Sequence, residues 1–352
     1  MSTPHEQAQS TVANLADIFS SCAEPGARDF VATGISWTGG TPSAVVFSRN
    51  EERTRQHIRE RLGDNLAGIE IVKSGALLRA AVAEPLAGPL AGQQSAGWIG
   101  KPLASLQAAG RSLRSWIQSL LPAAPIDVHA GVRLDDGTVG CGLRDKQTGA
   151  AYFLTDRHVL RPSSQGTVAV LQNGNHIGKL VSWSRVVSDP DWAVLAALPN
   201  VRPSACLNWE ACLLTLQGPM PHGDLPLLGQ QIIGMGGATS RKRRTGEVTA
   251  TGACIAFDEL AANGVCTRFM CREQILVKNL AGQQAFGELG DSGAVAYVLP
   301  PPPALGANPA GTAVGLYWLR SPAGDLHALA PLADVLAAIK AAPPPLDLEL
   351  WR

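Results

Sequence analysis

The chain has 352 residues, enough for two domains or for one domain with an appendage. Hydrophobic residues make up 45% and charged residues 16%, which excludes a disordered chain and leaves material for a substantial core. The 29 Lys and Arg balance 29 Asp and Glu, and this neutrality argues against a general nucleic-acid or anionic-membrane binder.

The first residues, MSTPHEQAQSTVANLADIF, lack a basic segment followed by an apolar one, so no signal peptide is expected. No apolar stretch reaches the roughly 18 residues of a membrane span, so stable membrane insertion is not expected either. Val12, Leu15, Ile18 and Phe19 recur at helical spacing and predict a short helix over 11–22. Phe30 to Ile35 and Ala44 to Phe47 read as strands around a Gly-Gly-Thr-Pro turn. Asn50 is placed to cap a charged helix running to about Leu62, and Gly68 to Val72 returns as a strand. The β-β-α-β order predicts a small α+β module over residues 1–82. Nothing in it reads as catalytic, and His57 sits among charges as a solvated helix residue.

Residues 83–125 are rich in Ala, Gly, Pro, Ser and Leu and read as a linker. Within it Leu103, Leu106, Leu113, Trp116, Ile117, Leu120 and Leu121 recur at helical spacing. Such a helix suits a partner or a membrane surface, but packing against its own domain is the commoner use. From Ile126 to the end the pattern is one of short strands and turns. Strands are predicted at 128–134, 139–143, 151–155, 168–171, 178–184, 192–196, 231–234, 246–251, 275–278, 293–298 and 313–318. So many short strands with little helix between them predict a mainly β barrel or sandwich. Leu332 to Ile339 reads as a terminal helix closed by Pro343-Pro344-Pro345.

Three segments in this region carry chemistry. Phe153-Leu154-Thr155-Asp156-Arg157-His158 puts His158 just after an apolar strand, where an imidazole can project from a barrel edge. Asp189-Pro190-Asp191-Trp192-Ala193-Val194-Leu195 puts Asp191 at the mouth of a buried strand, where a carboxylate can orient a histidine. Asp189 is the rival carboxylate, but Asp191 directly precedes the apolar run. Gly290-Asp291-Ser292-Gly293 is a turn that can expose a hydroxyl and its backbone N–H groups together. Alone it is an ordinary turn sequence. His129, His176, His222 and His327 have no such setting and are given no role. Arg241 to Arg244 lies between two predicted strands and reads as a solvated hairpin tip.

In these three contexts and this order the chain resembles the chymotrypsin-like (trypsin-fold) serine peptidases. Within that family it is most similar to intracellular bacterial trypsin-like peptidases that carry a small N-terminal module. Gly140-Cys141-Gly142-Leu143-Arg144-Asp145, FLTDRHVL, DWAVL, GDSGAV, AVGLYW and the closing Ala330-Pro331-Leu332-Ala333-Asp334-Val335-Leu336 carry the likeness. The resemblance implies a trypsin-like double β-barrel over residues 126–352, with an N-terminal α+β module and a C-terminal helix. It implies a serine endopeptidase with Ser292 as nucleophile, His158 as general base and Asp191 as its orienting partner. Backbone N–H groups of Gly290 and Ser292 would form the oxyanion hole. Phe286, Gly287 and Trp318 would line the substrate pocket, whose apolar floor favours an apolar substrate side chain.

The implied partners are a protein or peptide substrate and a regulatory protein. Neither a cofactor nor a metal is implied. The alternative is a catalytically silent member that keeps the fold as a peptide-binding scaffold. Two departures stand out: Ala294 where secreted relatives have a second glycine, and no Ile-Val-Gly-Gly start to supply a new N-terminal amine to Asp291. The seven cysteines are odd in number and form no CxxC pair, which fits free thiols in a reducing, cytoplasmic setting.

Overall fold

The computed structural model describes residues 3–20, 25–37, 41–63, 66, 68–74, 78–79, 125–134, 137–160, 168–171, 174–185, 190–209, 212–220, 229, 231–234, 244–260, 266–298, 310–321 and 323–352. The amphipathic pattern read over 103–121 lies outside these residues, as do Asp189 and Arg241 to Arg243.

Helix α1 (Pro4–Ile18) begins well before its apolar stripe. Thr3 is the reason: its hydroxyl accepts from the Glu6 N–H at 3.2 Å, and the Glu6 carboxylate accepts from the Thr3 N–H at 2.6 Å. Such a reciprocal cap satisfies two otherwise orphaned donors. A short turn of helix, α2 (Pro25–Arg28), leads into β1 (Phe30–Ser36), β2 (Ser43–Ser48), α3 (Glu51–Leu62) and β3 (Ile69–Lys73). Asn50 caps α3 through a bond from the Arg53 N–H at 3.1 Å. β1 and β2 are antiparallel, while β2 and β3 are parallel with α3 as the crossover. His57 is not solvated: it is buried on the inner face of α3, 5.3 Å from the Phe19 ring, which itself stacks on Phe30. The charges around it in sequence occupy the outer face. A two-residue strand, β4 (Leu78–Arg79), follows.

The first barrel is built from β5 (Ile126–Ala130), β6 (Arg133–Leu134), β7 (Gly137–Thr138), β8 (Cys141–Asp145), β9 (Ala151–Thr155), β10 (Val168–Val170), β11 (His176–Trp183) and β12 (Ala193–Ala197). Its main sheet runs β10-β11-β12-β9-β8, and a bridge between Leu134 and Leu171 curls the β10 end back toward β6. Strand alternation decides which side chains go inside. Phe153, Ala193 and Leu195 fill the barrel with Val139, Val159, Ile177 and Leu180. Leu154 and Val194 point the other way, into the core shared with the second barrel. Both faces of β9 and β12 are therefore buried, which is why they read as unbroken apolar runs.

Strands β13 (Val201–Trp209) and β14 (Cys212–Gln217) lead to the second barrel. It comprises β15 (Gln231–Gly234), β16 (Arg244–Leu260), β17 (Cys266–Asn279), β18 (Val295–Val298), β19 (Ala310–Arg320) and β20 (Leu326–Pro331). The pairings β16-β15-β18-β19-β20-β17 return to β16, so the sheet closes on itself. β16 and β17 are much longer than their apolar patterns suggest. Register shifts at three points break the alternation. The far end of β16 pairs antiparallel with β1, so the N-terminal strands extend the second barrel's sheet. The terminal helix Leu332–Ala341 buries Leu332, Val335 and Ile339. After it β21 (Leu348–Leu350), which has no signature in the sequence, pairs with β8 and ties the C-terminus to the first barrel.

The chain is thus mainly β, with two barrels, an α+β N-terminal segment and a C-terminal helix, the class its sequence predicts. No helix among the described residues is long and apolar enough to cross a membrane.

Candidate active site

The seam between the barrels brings His158, Asp191 and Ser292 together. His158 sits in the helical turn Arg157–Leu160, directly after β9, and Asp191 lies two residues before β12. Since β9 and β12 are paired, with Thr155 opposite Ala193, the two side chains emerge at one barrel edge. Asp191 Oδ1 accepts the backbone N–H groups of Arg157 at 2.9 Å and His158 at 3.3 Å. Its other oxygen, Oδ2, lies 2.7 Å from His158 Nδ1. A carboxylate oxygen can only accept here, so Nδ1 carries the ring proton. Nε2 is left as an acceptor, and Ser292 Oγ lies 2.9 Å from it, placed to donate. The His158 and Asp191 side chains are only 6% and 5% exposed, so the chain of bonds is shielded from water.

The turn that carries Ser292 comes from the second barrel and is docked onto the first. Thr138 N–H donates to the Ser292 carbonyl at 2.8 Å, and the Thr138 hydroxyl donates to the Gly290 carbonyl at 3.0 Å. Gly290 has φ +93°, a conformation that strains any other L-residue. A Cβ on Gly293 would meet Thr155 Oγ1 at 2.4 Å and the Thr138 carbonyl at 2.5 Å. Among the described residues, neither the Gly290 nor the Ser292 N–H donates to another backbone group.

The buried Asp291 side chain anchors this turn from below. Its Oδ2 accepts from Arg244 Nη1 at 2.8 Å and from the Glu288 N–H at 2.8 Å. Arg244 Nη2 also lies 3.2 Å from the Glu288 carboxylate. Arg244 is therefore no solvated hairpin tip: it is 4% exposed and opens β16 inside the seam. The sequence shows a run of four basic residues but not that the last one enters a strand. Arg244 thus places a positive charge beside the buried Asp291 carboxylate.

The three expected pocket residues are all buried. Phe286 lies in a buried apolar cluster with Tyr317, their rings edge-on at 6.1 Å. Gly287 lies beneath Tyr317, whose hydroxyl oxygen is 2.6 Å from where a Cβ would be. Trp318 is corrected: it is fully buried in the core between the barrels, with Nε1 donating to Gln274 Oε1 at 2.9 Å. Alternation along β19 turns Tyr317, not Trp318, toward Phe286.

His327, which the sequence leaves without a role, packs against Phe286 and Tyr317. Its Nε2 donates to Asn279 Oδ1 at 2.8 Å, and Tyr317 Oη lies 3.3 Å from its Nδ1. Burial, helped by the nearby Arg320 charge, lowers the His327 pKa from 6.5 to about 4. Burial likewise pushes the Tyr317 hydroxyl well above its usual value. Both groups are held neutral. Cys141, Cys206, Cys254 and Cys271 are in no disulfide, and burial raises the Cys141 pKa to about 12 and that of Cys254 to about 11. Among the described residues no group of three His, Cys, Asp or Glu is disposed to hold a metal ion.

No protein-family model and no curated protein matches the chain. Among solved structures it is similar to Thermobifida fusca Protease A, with a TM-score of 0.43 and 15% identity over 64% of this chain and 98% of that one. It is also similar to a glutamic acid specific serine protease described as using a histidine triad in substrate binding, with a TM-score of 0.42 and 16% identity over 64% and 100% of the two chains. Nocardiopsis Protease gives a TM-score of 0.41 and 17% identity over 64% and 100%.

Two outcomes are expected. Removing one partner of a buried ion pair costs about 3–5 kcal/mol, whereas replacing both costs far less. Arg244→Met should lower the unfolding free energy by about that amount in denaturant titration, and Arg244→Met combined with Asp291→Leu should recover much of it. The second concerns pH. His327 is neutral in the fold and titrates near 6.5 when unfolded, so the unfolded chain binds the extra proton and stability falls as pH drops from 6.5 to 4. The loss is roughly 3 kcal/mol. His327→Gln should flatten that part of the curve of melting temperature against pH.

Proposed function

We propose that the protein is a serine endopeptidase. The observation that carries this reading is the continuous set of bonds from Asp191 Oδ2 through His158 to Ser292 Oγ, at 2.7 and 2.9 Å. In this reading Ser292 Oγ attacks the scissile carbonyl carbon while His158 Nε2 takes its proton. The N–H groups of Gly290 and Ser292 stabilise the oxygen that becomes negative. As the carbon–nitrogen bond breaks, the proton passes from Nε2 to the departing amine and leaves an ester on Ser292. Water then repeats the sequence: it gives a proton to Nε2, its oxygen bonds to the acyl carbon, and Ser292 leaves as the hydroxyl. Asp191 keeps the imidazole in the required tautomer and stabilises the transient imidazolium.

The substrate is a protein or peptide. The apolar rings of Phe286 and Tyr317 favour a small apolar side chain over Lys or Arg, since Tyr317 occupies the space above Gly287. The reading needs no cofactor.

The test is prolonged incubation of the folded protein with a fluorophosphonate, with the adduct mapped by mass spectrometry. Ser292 should take up one adduct per chain, and Ser292→Ala and His158→Ala should take up none. A folded protein that gains no adduct at Ser292, with the site opened as well as in the wild type, would support the silent scaffold and overturn the proposal.

A further inference from the structure

Strand β19 has two edges, and its pairing separates them. At Gly315 and Leu316 it pairs with β18 through Ala296 and Val295, and with β20 through Pro331 and Ala330, so β18 and β20 lie on opposite edges. On the β18 side the chain reaches Gly293, whose N–H donates to the Tyr317 carbonyl at 2.8 Å, and then turns away through Ser292. Beyond Tyr317 this edge would be open. It is instead filled by β4: Arg79 lies opposite Leu319 and Leu78 opposite Arg320. Because β20 already pairs with Leu319 and Arg320, β4 has to lie on the β18 edge, in line with the nucleophile turn.

The direction is informative. β4 is antiparallel to β19, so from Leu78 to Arg79 it heads toward Ser292. Each strand residue advances about 3.3 Å. An occupant continuing in this register for one or two residues past Leu319 would bring a carbonyl beside Ser292 Oγ. Adding a strand to an open sheet edge is a general way for proteins to hold an extended peptide, since backbone bonds give affinity without demanding a sequence.

We propose that Leu78–Arg79 of the same chain is a resident strand on this edge of β19, which a peptide must displace to reach Ser292. The proposal rests on the peptidase reading of Ser292. One further observation supports it. The occupant is tethered close by: Ser74, four residues before Leu78, is fixed by its N–H bond to the Ser48 carbonyl at 2.7 Å, at the end of β3. A tether this short gives the segment an effective concentration in the millimolar range, so it outcompetes dilute peptides without high intrinsic affinity. The N-terminal strands, through β3, thereby set access to the site.

The test replaces Leu78 and Arg79 together by proline, which removes both backbone donors. Three readouts are compared with the wild type: melting temperature, fluorophosphonate labelling of Ser292, and turnover of a quenched fluorescent peptide library. In the variant, kcat/KM for peptides should rise on the order of tenfold. A free hexapeptide with the sequence of residues 74–79, Ser-Gly-Ala-Leu-Leu-Arg, should inhibit the variant competitively and the wild type much less. Labelling of Ser292 with peptide turnover equal in variant and wild type would overturn this inference and leave the peptidase reading standing. A failure of Ser292 to label in either protein, both folded, would overturn the peptidase reading instead.

Discussion

Everything at the site depends on how the two barrels are locked at Thr138. This residue belongs to the first barrel, yet its N–H and hydroxyl both hold carbonyls of the Ser292 turn, those of Ser292 and Gly290, at 2.8 and 3.0 Å. The Thr155 hydroxyl donates to the Thr138 carbonyl at 2.7 Å, so the lock is itself fastened to the end of β9, three residues before His158. Histidine and serine come from different barrels, and this short path of bonds fixes their separation. For the proposed acyl transfer, a misplacement of about 1 Å would cost on the order of a hundredfold in rate. The close approach of Gly293 to Thr138 and Thr155 leaves no room for the turn to slide.

Below the turn, the chain carries its own counter-charge. A carboxylate in the position of Asp291 is costly to bury alone, by several kcal/mol. Arg244 removes that cost permanently because it is part of β16, a strand of the barrel wall. The turn is then held by a charge that the chain itself supplies. The N-terminal strands are built into the second barrel's sheet through β1 and β16, which puts them within reach of the β19 edge.

Much of this was legible in the sequence where a local pattern and a buried environment coincide. The apolar runs at 151–155 and 192–196 are fully buried strands, and the polar residues at their ends, His158 and Asp191, lie where such strands leave the barrel. Asn50 also reads correctly as a cap. What escaped depends on long-range pairing. β21 is three residues whose only reason to be extended is β8, far away in the chain. The length of β16 and β17 is hidden by bulges that break the alternation. Arg244 looks like part of a charged loop until its partner is seen, and His327 looks isolated until β20 places it against Asn279 and Tyr317. Trp318 is implied as a pocket residue only by the resemblance, and strand alternation sends its ring to the face opposite Tyr317.

If the proposed reading holds, Asp191, His158 and Ser292 form a working acyl-transfer unit. The pre-steady-state reaction with p-nitrophenyl acetate, a small activated ester, tests this. A burst of nitrophenolate approaching one equivalent per chain is expected, with the acetyl group found on Ser292. The acylation rate should fall on the order of ten-thousandfold in Asp191→Asn, where the wrong histidine tautomer is favoured. Absence of a burst, or an Asp191→Asn variant that acylates as fast as the wild type, would contradict that reading.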